Sequence, residues 1–256
     1  MLVFTFAAFI FSLTIEINQK EYTGESYESI LELYQQDINT INSIIVKEGL
    51  FPVNSLSNQY TQLTTLIVPK DSFEGSINNE KFYNCGLLKT VSIDGATSLG
   101  RFAFEQCQNL ESISIEGCTT IQYSAFLNCI KLSSINSPNI IEIEPRAFEK
   151  TGLIEVEFNS VTFLPGQTIA GAYYADQFRY CSSLQKVTMK NIANLPYRIF
   201  QYCNQLNHVD TPLVTSIGGS AFEGCNSLTT LTFPVLNSID NYAFYKIAGL
   251  IEVDLP

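Results

Sequence analysis

Hydrophobic positions recur along the chain with a period of about 22 residues. Phenylalanine marks this period, because successive phenylalanines are 22 residues apart except across one gap of 30. The eight positions are Phe82, Phe104, Phe126, Phe148, Phe178, Phe200, Phe222 and Phe244. A fixed period of roughly 20 to 50 residues is typical of repeat architectures, so the pattern predicts stacked coils rather than one globule with a single centre.

Further apolar columns accompany each phenylalanine. A leucine follows after six residues, a Val, Ile or Leu after nine and a Leu or Ile after seventeen. In the fourth unit the corresponding Leu153, Val156 and Leu164 each come one residue early. Around Ile113 and Ile115 apolar residues alternate with serines, which is typical of a strand with one buried face. The Ala-Phe segment predicts a helical turn, and the last column predicts a second short extended segment.

No unit can bury its apolar columns alone. Stacking turns each column into a continuous ridge, and each large side chain that becomes fully buried contributes about 1.5 to 3 kcal/mol. The predicted fold class is therefore an α/β repeat solenoid, whose units of about 22 residues each hold a short strand, a helical turn and a second short extended segment.

The units IQYSAFLNCIKLSSIN (121–136) and IGGSAFEGCNSLTTLTF (217–233) resemble the BspA-like leucine-rich repeats of the Treponema pallidum type, and the resemblance covers 77–256. It implies a right-handed leucine-rich-repeat superhelix. It also implies a secreted or cell-surface protein that adheres to host cells and matrix proteins, with no catalytic residues. The chain departs from the family in a nine-residue insertion and in two units without cysteine, and we expect any C-terminal anchor to lie outside residues 1–256.

The pattern divides the chain into three regions. Residues 1–14 begin with the apolar run MLVFTFAAFIFSL, which predicts a signal peptide, with a buried N-terminal strand as the alternative. Residues 15–69 form an N-terminal cap with degenerate repeats and a short helix in SYESILELYQQ. Residues 70–256 form the solenoid, with the insertion at about 165–173. We expect the natural chain to continue beyond Pro256, or a partner to cover that end.

Composition and charge restrict the partners. Apolar residues make up 46% of the chain and charged residues 15%, which predicts a folded protein. A formal charge of -11 repels a phosphate backbone, so we expect no nucleic-acid partner. No internal apolar stretch has the length of a membrane span. The remaining partner classes are a protein and a glycan.

Six of the seven cysteines occupy one column of the repeat, three residues after the phenylalanine. Thr151 and Ile247 fill the same column in other units, which favours packing over metal binding. We expect buried, reduced thiols, and we expect adjoining coils to be too far apart here for a disulfide. The sequence shows no metal-binding, cofactor-binding or catalytic motif. His208 is the only histidine, and its column predicts an exposed strand residue.

Two places are candidates for partner binding. One is the polar face of the predicted strands, where charged and hydroxyl residues form rows across neighbouring units. The other is the insertion, whose tyrosines offer aromatic contact area beside glycines. The candidate residues are Glu155, Glu157, Lys186, Thr188, His208, Asp210, Gln167, Tyr173 and Tyr174.

Three functional hypotheses remain. The first is a non-enzymatic, secreted or cell-surface module of the adhesin type that binds host cell or matrix proteins. The second is an intracellular, cytoplasmic leucine-rich-repeat scaffold or regulatory protein, which the absence of an Asn-x-Ser/Thr sequon favours. The third, an enzyme such as a hydrolase, has no motif in its support.

Overall fold

The computed structural model describes residues 13–34, 38–55, 61–169 and 172–256, without the side chains of 38, 55 and 167–174. The N-terminal elements are β1 (Leu13–Ile17), β2 (Lys20–Gly24), α1 (Tyr27–Tyr34), β3 (Ser43–Glu48) and β4 (Thr65–Val68), with single 3-10 turns at Ile38–Thr40, Val53–Ser55 and Lys70–Ser72. The later strands are β5 (Gly75–Ile77), β6 (Thr90–Ile93), β7 (Ala96–Leu99), β8 (Ser112–Ser114), β9 (Thr120–Ile121), β10 (Ser134–Asn136), β11 (Glu142–Ile143), β12 (Glu155–Glu157), β13 (Gln167–Ile169), β14 (Ala172–Tyr174), β15 (Lys186–Thr188), β16 (Asn194–Leu195), β17 (His208–Asp210), β18 (Ser216–Ile217), β19 (Thr230–Thr232), β20 (Ser238–Ile239) and β21 (Glu252–Asp254).

Two parallel sheets run along the solenoid, as the alternating columns predict. The first contains β10, β8, β6, β4 and β3 in that order, followed by the antiparallel strands β1 and β2. The second contains β11, β9, β7 and β5. Towards the C-terminus the first sheet continues as β12, β15 and β17 and then as β19 and β21, and the second continues as β16, β18 and β20. We call the solvent-exposed sides of the first and second sheets the strand face and the second face.

The N-terminal region closes one end of the stack. Leu13, Ile15 and Ile17 of β1 are buried, and β1 pairs with both β2 and β3. Helix α1 begins after Ser26, whose Oγ accepts a hydrogen bond from the backbone N–H of Ser29. Residues 1–12, which hold most of the predicted signal peptide, lie outside the described residues.

The phenylalanine column forms the centre of the solenoid. Neighbouring rings stack with centroids 4.9 to 5.8 Å apart, from Phe82 to Phe244. Phe104, Phe126 and the next four phenylalanines of the column are fully buried. The leucine and isoleucine columns pack around them in the same cluster. The predicted solenoid and its core are therefore confirmed.

The segment around each phenylalanine is a chain of overlapping turns rather than the predicted helical turn. Around Phe104, the N–H groups of residues 103, 105 and 107 donate to carbonyls three residues earlier. The alternate N–H groups of 102, 104 and 106 donate to the next coil, as from Phe104 to the Ala125 carbonyl at 2.8 Å. The residues two positions before and two positions after each phenylalanine have left-handed φ values. This backbone turns the alternate N–H groups outward, which the uniformly right-handed backbone of an α-helix cannot do.

The cysteine column uses the same close spacing. Each buried thiol of this column donates a hydrogen bond to the phenylalanine carbonyl of the preceding coil. Cys129 donates to Phe104 and Cys203 donates to Phe178, both with an Sγ–O distance of 3.0 Å. All seven cysteines are free thiols. Our expectation that these coils lie too far apart for a disulfide is wrong, because backbone hydrogen bonds join them directly on this side.

Candidate functional site

The coil that begins at Phe148 is irregular on both faces of the solenoid. It is one residue short before β12, since Val156 comes eight rather than nine residues after the phenylalanine. Strand β12 accordingly pairs with β15, and the structure shows no pairing between the described strands β12 and β10. The first sheet is therefore open at this point.

A cleft of about 390 Å³ occupies this opening on the strand face. Val156 and Phe158, which are buried, lie beneath it. Its polar lining is Asn136, Ser137, Glu155, Glu157, Asn159, Lys186 and Thr188. The cleft thus combines two carboxylates, one ammonium group and several hydrogen-bonding side chains.

Parallel pairing aligns the charged side chains in two rows. Glu155 is in register with Lys186, which is in register with His208. The second row runs from Glu157 through Thr188 to Asp210. Directly opposite residues of a sheet have neighbouring side chains, so the first row sets a carboxylate beside an ammonium group and the ammonium group beside an imidazole. Six of the predicted candidates are thereby brought together, four of them in the cleft.

Other contacts fix the surroundings of the cleft. The Asn159 amide donates to Glu157 Oε1 at 2.7 Å, and Lys190 Nζ lies 3.6 Å from Asp210 Oδ2. Ser137 Oγ and Asn159 Oδ1 are buried without a hydrogen-bond partner. Buried polar atoms normally have hydrogen-bond partners. Two buried oxygens without a partner therefore make the interior next to the cleft unusually polar.

One candidate requires a correction. The sequence predicts Thr188 on the exposed polar face, but only 7% of it is exposed, because strands on both sides and the cleft wall enclose it. Gln167, Tyr173 and Tyr174 do not join the strand-face rows. They belong to the hairpin of β13 and β14, which follows Leu164 and therefore leaves from the edge of the second sheet.

A buried charged cluster lies in the turns of the coils on either side of the insertion. Asp176 and Glu149 are almost fully buried, and the charges of Arg146, Arg179 and Arg198 lie near the Asp176 carboxylate. Burial raises the pKa of Asp176 to about 6, although the charge of Arg179 opposes this rise. The sequence analysis missed this cluster, because its members come from three units and form no motif.

The sequence analysis also missed a larger groove on the second face. It is lined by residues 163–166 at the base of the insertion and by the turns and short strands of the next three coils. In the sequence, the insertion indicates where this groove lies, because it separates the second sheet into two parts.

Two further observations concern metal binding and membrane insertion. Across the described part of the chain, no three His, Cys, Asp or Glu side chains are grouped as a metal site would require. Among the same residues, no helix combines the length and apolar character needed to cross a membrane.

A solenoid whose polar strand face carries aligned rows of side chains is a leucine-rich-repeat module. The family model described as "BspA type Leucine rich repeat region (6 copies)" matches residues 53–174 and 168–256, so the chain belongs to the BspA-type leucine-rich repeat family. Membership supports a repeat module for protein interaction, and leucine-rich repeats of this kind are typically non-enzymatic.

The chain is similar to several solved structures. A leucine-rich repeat protein of T. pallidum is 25% identical, with a TM-score of 0.52, over 73% of this chain and 83% of its own. A leucine-rich repeat protein of Bacteroides ovatus is 20% identical, with a TM-score of 0.40, over 84% of this chain and 73% of its own. A leucine-rich cell surface protein of Faecalibacterium prausnitzii is 19% identical, with a TM-score of 0.30, over 84% and 90%. A search of curated proteins finds no match.

Proposed function

We propose that this protein is a non-enzymatic, secreted or cell-surface module of the adhesin type that binds host cell or matrix proteins through its strand face. One observation carries the proposal. The register of β12, β15 and β17 places the oppositely charged Glu155 and Lys186 in one row with His208, beside an open cleft. Charged rows of this kind provide specificity for a partner with the complementary pattern.

The cleft supplies a place for a partner side chain. A binding energy concentrated in a few central residues is typical of protein interfaces. Lys186 stands at the rim between two carboxylates of β12 and the exposed His208. We therefore expect an acidic or hydroxyl-bearing side chain of the partner to contact Lys186, while Glu155 and Glu157 accept hydrogen bonds from its neighbours.

Charge reversal tests the proposal. We expect the purified chain to bind to a panel of immobilised matrix proteins (fibronectin, laminin and collagen), and we expect Lys186→Glu to weaken binding at least tenfold. Lys89→Glu is the matched control, because Lys89 is exposed on a distant coil and undergoes the same change of charge. Absence of binding to matrix proteins and to cells contradicts the proposal, and equal effects of both variants contradict the assigned face.

The N-terminal run bears on the location of the protein. We propose that residues 1–14 carry a signal peptide. Cleavage at the start of β1 would leave most of the pairing between β1 and β3 intact. The second candidate function, an intracellular scaffold, is favoured by the seven free thiols. Sequencing the N-terminus of the mature protein distinguishes the two, because only the secreted form loses the apolar run.

A further inference from the structure

The second face carries a groove of about 1190 Å³ beside the insertion, distinct from the strand-face cleft. One wall is formed by residues 163–166. The floor crosses β16, β18 and β20, and it combines asparagine, serines and glycines with the apolar side chains of Leu195, Ile217 and Ile239. The residues that bear on its chemistry are Asn194, Tyr197, Arg198, Ser216, Gly218 and Asp240. This volume exceeds the roughly 300 to 1,000 Å³ of ordinary small-molecule pockets, so the groove suits a chain-like ligand.

The groove is held in place by buried contacts. The side chain of Gln177 is fully buried, and its Nε2 donates to the Pro165 carbonyl at 2.8 Å, which fixes the base of the insertion. On the floor, a Cβ at Gly218 would come within 2.7 Å of the Tyr197 backbone nitrogen. Glycine is therefore required for the close approach of these coils. A site formed in advance loses less entropy when a ligand binds.

The side chain of Arg198 stacks on an aromatic ring at the groove. Its guanidinium carbon lies 4.4 Å from the centre of the Tyr197 ring, and its Nε is buried with no hydrogen-bond partner. The charge of the Asp176 carboxylate acts nearby, but its buried Oδ1 accepts no hydrogen bond. A guanidinium held by stacking keeps its terminal N–H donors, rather than the buried Nε, for a ligand.

The lining combines aromatic and uncharged polar groups. Phe163 is 56% exposed, and it faces a floor on which Ser216 Oγ donates to Asn194 Oδ1 at 2.6 Å. Arg198 and Asp240 supply one charge of each sign, so the groove favours neither anions nor cations. Hydroxyl and amide groups both donate and accept, which matches a ligand rich in hydroxyl groups. An exposed ring beside such groups suits the apolar face of a sugar.

The floor repeats its polar side chains from coil to coil. Parallel pairing of β16, β18 and β20 places Asn194, Ser216 and Ser238 in register. Paired strands lie about 4.7 to 4.9 Å apart, so these side chains form a row at that spacing. Amide and hydroxyl groups that recur along the groove can each donate and accept, which matches hydroxyl groups repeated along a sugar chain.

We propose that the groove beside the insertion binds a linear, uncharged oligosaccharide, with a sugar ring on Phe163 and hydrogen bonds from Arg198 and Asn194. The groove lies on the second sheet and the strand-face cleft on the first, and they share no lining residue. Glycan binding therefore does not depend on the proposed protein partner, and the two functions can fail separately.

Affinity electrophoresis of the full chain tests the proposal, in native gels that contain hydroxyethylcellulose, xylan, β-mannan or mixed-linkage β-glucan. We expect at least one of these polysaccharides to retard the protein. Phe163→Ala should weaken binding at least tenfold and Arg198→Gln at least threefold, whereas Phe163→Tyr should retain it. Tyr83→Ala is the matched control, since Tyr83 is 50% exposed on a distant coil. Thermal unfolding confirms that each variant is folded, and Arg198→Gln with Phe163→Tyr still tests the groove if Phe163→Ala fails to fold.

Three outcomes overturn the proposal. The first is a lack of retardation in all four polysaccharides. The second is retardation that the groove variants leave unchanged. The third is preferential binding of heparin, or of an extended-peptide library, in a manner that requires Phe163. Lys186→Glu should leave glycan binding intact, so its effect on protein binding is measured separately.

Discussion

The coil of Phe104 differs from the coil of Phe148 in a way that explains where the surface can bind. The Phe104 coil pairs with both neighbours in both sheets, through β8 on one face and β9 on the other. The Phe148 coil keeps its ring in the central stack, 5.3 and 5.2 Å from its neighbours, yet pairing is interrupted on both faces. The core thus maintains continuity while the sheets open, and each opening is a cleft.

The largest test of this comparison removes a ring from the regular stack. Phe126→Ala should lower the free energy of unfolding by about 3 to 5 kcal/mol, because Phe126 is fully buried between two stacked rings. Phe163→Ala, at an exposed position on the irregular coil, should change it by only about 0.5 kcal/mol. Urea unfolding of both variants provides the measurement. Similar losses would show that the irregular coil contributes to the core as much as the regular coils do.

A smaller effect is expected from the buried carboxylate that follows the insertion. The pKa of Asp176 is raised from an ordinary value of 3.8 to about 6, so the folded state binds the proton more tightly than the unfolded state does. Stability should therefore fall as the pH rises from about 4 to 6 and stay lower above that range. Asp176→Asn should restore about 2 to 3 kcal/mol at pH 7.5 and almost none near pH 4. Equal stabilisation at both pH values would refute the assigned cause.

A smaller effect than that of Asp176→Asn should come from deleting the insertion itself. Removal of residues 165–173 leaves Leu164 and Phe178 at the spacing of the other units, and no core column is lost. The free energy of unfolding should change by about 1 kcal/mol or less, because loop length has a weak effect on closure entropy. Loss of cooperative unfolding would contradict this assignment. Polysaccharide binding, by contrast, should disappear with the groove wall.

The sequence predicts those features that depend on side-chain periodicity. The buried columns, the strands around Ile113 and Val187 and the second extended segments at Ile121 and Ile217 lie where the pattern places them. The rows of Glu155 and Lys186 follow from the same period.

Features that depend on backbone geometry or on contacts across several units could not be predicted in this way. The left-handed residues around each phenylalanine leave no glycine signature, since Gly224 is the only glycine among these sixteen positions. The groove requires residues from four coils, and the insertion alone does not specify its floor. The burial of Thr188 depends on how closely neighbouring strands enclose it.

The left-handed positions also restrict which mutations this protein can accept during evolution. Valine, isoleucine and threonine are strongly disfavoured in that conformation, and none of the three occurs at any of these positions. Acidic, basic, amide, hydroxyl and aromatic side chains do occur there, from Glu80 and Asn84 to Lys150 and Tyr202. One edge of the solenoid can therefore change its charge and aromatic character from lineage to lineage, whereas branching at Cβ is excluded by the path of the chain.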